Sequence, residues 1–140
     1  MRVVDQQAGS YAEFEAFVAG AAGRLLHVAL LLTGEPDSAR RLLAGALART
    51  YANWRRLRGD DPYDFTRREL CTAFARTAWR HHGGAGVLSR LSPPERLVLV
   101  LRLYEGVAEE VTAAQLGMPV DRVRVLCNRA VAALRNREAA

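Results

Sequence analysis

The 140-residue sequence predicts an all-α fold built from two small helical domains, and three observations carry that prediction. Apolar residues recur at helical spacing nearly throughout, and no stretch alternates as a half-buried strand would. Helix-start signals, a small polar residue or a proline heading an apolar run, occur at Ser10, Pro36, Asp61-Pro62 and Ser92. A glycine-rich break, GGAGVL at 83–88, reads as a flexible linker and divides the chain into units 1–82 and 89–140.

The elements follow in order. Ser10 with Glu13 forms a capping-box pattern that is expected to open a first helix running to about Leu32, with a break near Gly20 and Gly23. Thr33-Gly34 ends it. Pro36 suits the first turn of a second helix, whose buried side Leu43, Leu47, Tyr51 and Trp54 would mark. Arg58-Gly59-Asp60-Asp61 reads as a loop, and Asp61 caps a third helix with Pro62 at its first position, continuing to about His82. Ser92-Pro93-Pro94-Glu95 is a second capping box and restarts helix through ERLVLVLRLYEG. A short helix over 107–116 ends at Gly117, and GMPVDRVRVLCNRAVAALR forms the last one.

Composition narrows the function classes. Half the residues are apolar, which provides for a real core, and no uninterrupted apolar run approaches the ~18–20 residues that a membrane helix needs. The N-terminal stretch carries acids where a secretory signal carries an apolar block, so a cytoplasmic protein is expected. Cys71 and Cys127 lie in helical patterns and read as buried small hydrophobes. The three histidines share no metal-ligand spacing with them, so no metal or other cofactor is expected. No nucleophile–base–orienter set and no phosphate-cradling glycine loop appears, which argues against an enzyme. All twenty basic side chains are arginines, flat forks suited to phosphate, and the net charge of +5 permits a polyanionic partner. Twelve arginines face nine acids over 1–83, and eight face six over 84–140, so neither half carries the charge alone.

A short helix, a three-residue turn at Gly117 and a longer helix outline a helix-turn-helix. On a 100° wheel Val120, Val123, Cys127, Ala130 and Leu134 fall together toward the core. Asp121, Val125, Asn128 and Ala132 point away, bordered by Arg122 and Arg129 on one side and by Arg124 and Arg135 on the other. Such borders suit two phosphate rows with the helix in the major groove, and a merely solvated helix gives the same pattern. Val125 and Ala132 at the centre offer few base-edge hydrogen bonds.

LSPPERLVLVLRLYEGVAEEVTAAQLGMPVDRVRVLCNRAVAALR resembles the −35-binding, region 4 domain of extracytoplasmic-function sigma factors, and the preceding LLTG, ALARTYxxWRR and DDPYDFTRRELCTAFARTAWR resemble their −10-binding, region 2 domain in actinobacterial members. The resemblance implies a transcription protein that binds core RNA polymerase and promoter DNA. It places Arg122, Arg124, Asn128, Arg129 and Arg135 at the −35 element. Arg68, Thr72, Arg76 and Trp79, one helical face, would meet the −10 strand together with Arg80, with Arg58 and Tyr63 in the loop that captures a flipped base.

The sequence also departs from that family. Where the second helix should present an acidic signature to polymerase, it reads Arg40-Arg41-Leu42-Leu43-Ala44-Gly45. A charge reversal there predicts weakened core docking. The small cluster Ala44, Gly45 and Ala48 offers a close approach to another protein, an anti-sigma factor included. The six-residue linker spans at most ~20 Å, against ~85 Å between promoter elements two and a half turns apart. Ala108 takes the place of a capping serine at a cost of about 1 kcal/mol. Two readings follow: a compact sigma factor, or a sigma-derived DNA-binding or protein-interaction module that has lost polymerase docking.

Overall fold

The computed structural model describes residues 3–57, 59–78 and 86–139, with side chains over 9–57, 59–78 and 86–136. Every regular element among them is helical: α1 (Val3–Thr33), α2 (Pro36–Ala52), a 3₁₀ turn (Trp54–Leu57), α3 (Pro62–Arg76), α4 (Pro93–Leu99) continued by a π-turn (Val100–Tyr104), α5 (Glu109–Leu116) and α6 (Val120–Ala139).

Local chemistry explains most boundaries. Gly34 takes φ +68°, a left-handed conformation that ends α1. Glu35 then caps α2 by accepting the Asp37 and Ser38 amides at 2.9 and 2.7 Å. These bonds hold its carboxyl down at about 2. Asp61 accepts the Tyr63 amide at the head of α3, and the Ser92–Glu95 capping box is complete.

α1 packs on α2 and α3 through Leu25, Val28, Ala29 and Leu32, which meet Ala39, Leu43, Ala46, Leu70 and Phe74. Thr50 and Thr66, both fully buried, share a 2.7 Å hydrogen bond where α2 crosses α3. The same apolar cluster continues into the C-terminal unit through Leu88, Leu91, Leu97, Leu99, Val100, Leu101, Val107 and Ala130. The two units are therefore docked on a shared core.

Several expectations are corrected. α1 begins at Val3, so Ser10 and Glu13 lie within it rather than at its head, and it passes Gly20 and Gly23 unbroken. Its stretch Gly9–Thr33, with a window of mean hydropathy 1.7, is long and apolar enough to cross a membrane, contrary to the expectation from the apolar runs. Alanines and long aliphatic residues keep the mean high while Arg24, His27 and the glycines break every run, and Leu25, Val28, Ala29 and Leu32 are fully buried in the core of this fold. α3 stops at Arg76, with Thr77 as C-cap, instead of running to His82. The buried seam of α2 is Ala39, Leu43, Ala46 and Thr50. Leu47 and Trp54 are half-buried and Tyr51 is 45% exposed, lying against Phe14 with ring centroids 4.8 Å apart. Gly86 and Leu88, expected in a flexible linker, are packed: Leu88 is buried, and a Cβ on Gly86 would stand 3.0 Å from Gly34 Cα.

Candidate nucleic-acid interface

The C-terminal helix pair has its own small core. Val98 of α4, Ala113 of α5, and Val123 and Leu126 of α6 are buried together, flanked by Leu116, Met118, Val120 and Cys127. Gly117 at φ +65° lets the Met118 amide reach back to the Ala113 carbonyl at 3.0 Å, a Schellman turn that aims α6 away from α5. Ala108 caps α5 with no side-chain hydrogen bond, as the sequence suggested.

This frame exposes one face of α6: Asp121, Arg122, Arg124, Val125, Asn128, Arg129, Ala132 and Arg135 all reach solvent. The inward face is Val123, Leu126 and Ala130; Leu126 was missed on the wheel, and Cys127 is only half-buried. Arg124 differs from its neighbours. Its Nε donates to both oxygens of Glu109 at 3.1 and 3.2 Å, and Nη1 reaches Asp121 at 3.5 Å. It ties α6 to the first turn of α5, while Arg122, Arg129 and Arg135 make no ion pair among the residues whose side chains are described.

On α3, Arg68, Thr72 and Arg76 are exposed along one face, as their spacing predicted. They line a cleft of about 460 Å³ whose opposite wall is Pro94, Leu97, Gln115, Leu116 and Met118 of the helix-turn-helix unit. Arg58, Trp79 and Arg80 lie outside the described residues. Tyr63 is placed inward: its hydroxyl donates to Glu105 at 2.8 Å, and its ring lies under the guanidiniums of Arg24 and Arg67, at 5.6 and 5.8 Å. Burial first, then the bond to Glu105, pushes its phenol above the ordinary value.

Glu105 is the residue that the sequence reading missed. Its side chain has no exposure, and its oxygens receive Arg24 Nε at 3.0 Å and Arg67 Nη1 at 3.2 Å besides Tyr63. Its charge in turn raises the pKa of Arg24. The available signal was a lone acid between an apolar run and a glycine.

On α2, Arg40, Arg41, Ala44 and Ala48 are exposed and Gly45 is half-exposed. Arg40 pairs with Asp37, and Arg41 donates to Ser38. The second helix thus presents cations and small side chains on its outer surface.

Comparison with known proteins decides the family. The sigma-70, region 4 family matches residues 87–136, the stretch holding the helix-turn-helix. The chain is 33% identical to an RNA polymerase sigma-E factor of Streptomyces coelicolor, covering 91% of this chain and 86% of that one. Sigma-E factors of Streptomyces avermitilis and Streptomyces antibioticus are 32% and 31% identical over the same share of this chain. The chain belongs to the extracytoplasmic-function sigma factors. The alignment spans 155 residues against a chain of 140, so the Streptomyces coelicolor sigma factor carries segments that this one lacks.

Proposed function

We propose that this sigma factor binds promoter DNA and directs core RNA polymerase to initiate transcription from it, acting in the cytoplasm. The observation that carries this reading is the outward face of α6, supported on its Schellman turn and rich in arginine, in a chain related along nearly its whole length to sigma-E factors. In this reading α6 enters the major groove at a −35-like element with Arg122 and Arg129 on phosphate and Asn128 toward bases. Arg68, Thr72 and Arg76 serve a −10-like strand, and the chain divides functionally near 83–88. Titration with a duplex enriched from random-sequence DNA tests the first part. Arg122→Ala and Arg129→Ala should weaken binding and flatten its salt dependence; unchanged affinity and slope would sink the assignment.

The cationic outer face of α2 favours a second reading, in which normal core docking is lost and the chain acts as a sigma-derived regulator. A pull-down with core polymerase separates the two. Capture of the native chain at physiological salt overturns lost docking. Capture only after Arg40, Arg41, Ala44 and Gly45 are changed to the acidic family pattern establishes it.

A further inference from the structure

We infer that Glu105 is the pin of a closed form of this protein, latching the two helical units together and withholding Tyr63, and that both promoter elements are engaged only once the pin is drawn. The promoter half of the inference rests on the sigma factor reading above.

The pin joins elements far apart in sequence. Glu105 follows the π-turn of the C-terminal unit, whereas Arg24 stands on α1, and Tyr63 and Arg67 on α3. One unexposed carboxylate thus collects three donors from the other unit; removing it leaves Arg67, among the described residues, only its pair with Asp64 on the same helix, at 3.0 Å, and takes the partner from the Tyr63 hydroxyl. A second contact lies beside it, with His27 Nδ1 2.7 Å from the Tyr104 hydroxyl. Tyr63, a candidate for the −10 element, is consumed by the latch. The Arg68–Thr72–Arg76 face meanwhile looks across a cleft at the helix-turn-helix.

Size makes opening necessary. A compact chain of this length has a radius of gyration of about 14 Å and measures roughly 37 Å across. Promoter elements about 85 Å apart lie beyond its reach. Because α3 ends at Arg76, the sequence between the caps Thr77 and Ser92 is longer than the glycine break alone, and a fully extended chain of that length spans at most about 50 Å. Two units of roughly 25–30 Å on that tether reach across the gap.

Two measurements test this. Small-angle scattering of the full chain should give about 14 Å for the native protein and a clear enlargement for Glu105→Ala. Arg24→Glu, at an exposed position facing the same carboxylate, guards against misfolding, with helical circular dichroism as control. Native-like dimensions in both folded variants overturn the latch. Separately, His27→Cys and Tyr104→Cys are joined by a short bis-maleimide in a chain carrying Cys71→Ser and Cys127→Ser. The tied and untied proteins are then compared, with core polymerase, on duplexes carrying both elements or the −35-like half alone. Tying should abolish the affinity gained from the second element and spare the half-site. Equal binding of both elements by the tied protein overturns the opening step. Failure of the untied protein to bind either duplex overturns the sigma reading and the promoter half together, while scattering still decides the latch.

Discussion

Arg96 shows how much one side chain can hold. It is 2% exposed, and its guanidinium donates to the carbonyls of Leu32 at 2.9 Å, Leu91 at 3.0 Å and Ser89 at 3.0 Å. It therefore supplies the cation that the last turn of α1 lacks and ties the 86–91 turn to α4. Arg96→Met should leave those carbonyls without this donor in a buried place and lower stability by about 3 kcal/mol in urea unfolding. Arg96→Lys should recover only part, because an ammonium's three donors sit on one nitrogen whereas Arg96 reaches the three carbonyls from Nε, Nη1 and Nη2 separately. The two cysteines should differ as sharply. Burial pushes the Cys71 thiol up to about 12, while Cys127 is partly open. At pH 8 a thiol reagent should modify Cys127 in the native protein and Cys71 only on unfolding. The sequence identified both as packed small residues but could not rank them, since their exposure depends on which helices cross over them. Arg96 was equally hidden. A polar residue in an apolar run reads as surface until the carbonyls around it are known.

Elements were more legible than their ends. Caps built from neighbouring residues, at Asp61, Ser92 and Gly117, were readable because their hydrogen bonds are local. The Ser10–Glu13 pattern misled because the helix continues upstream, and a capping pattern inside a helix caps nothing. The π-turn was invisible to a 100° wheel. The Glu105 amide bonds five residues back to Val100 at 2.9 Å, and one extra residue in that turn rotates all that follows, including Glu105 itself. In α6 the outward face was read correctly, but not the pairing of Arg124 with Glu109 across the turn. Arg124→Ala should therefore weaken DNA binding less than Arg122→Ala or Arg129→Ala in the same titration. Ala108→Ser should add a cap to α5 and raise stability by about 1 kcal/mol, read as a shift in denaturation midpoint. Glu35 gives α2 an acid-sensitive start. Its carboxyl lies below the ordinary 4.5, so its support is present above that pH and lost as pH falls toward about 2.

For the whole molecule, the helical class and the family were legible because periodicity and motif order survive sequence drift. The docking of the two units was not, because it depends on a shared apolar core, on Arg96 reaching Leu32, and on Glu105 with Arg24, Tyr63 and Arg67, which no short window contains. The latch should respond to alkali. Tyrosine freed from it ionises near pH 10, whereas Tyr63 in the closed form resists ionisation, so the contribution is complete below pH 10 and declines above it. Near-ultraviolet titration should show one phenol ionising late in the native protein and normally in Glu105→Ala.

Gly86 offers control of the same equilibrium without touching a charge. Its backbone rests on Gly34, where an added Cβ would meet a main-chain carbon at 3.0 Å, and main chain cannot swing aside as a side chain can. A single methyl, Gly86→Ala, is thus a wedge between the 86–91 turn and the end of α1, expected to oppose their packing by about 1 kcal/mol or more. Larger residues at 86 would make the wedge thicker. If the latch opens as proposed, the bulk of this one side chain should set the share of open chains in small-angle scattering, leaving the arginine faces of α3 and α6 as they are.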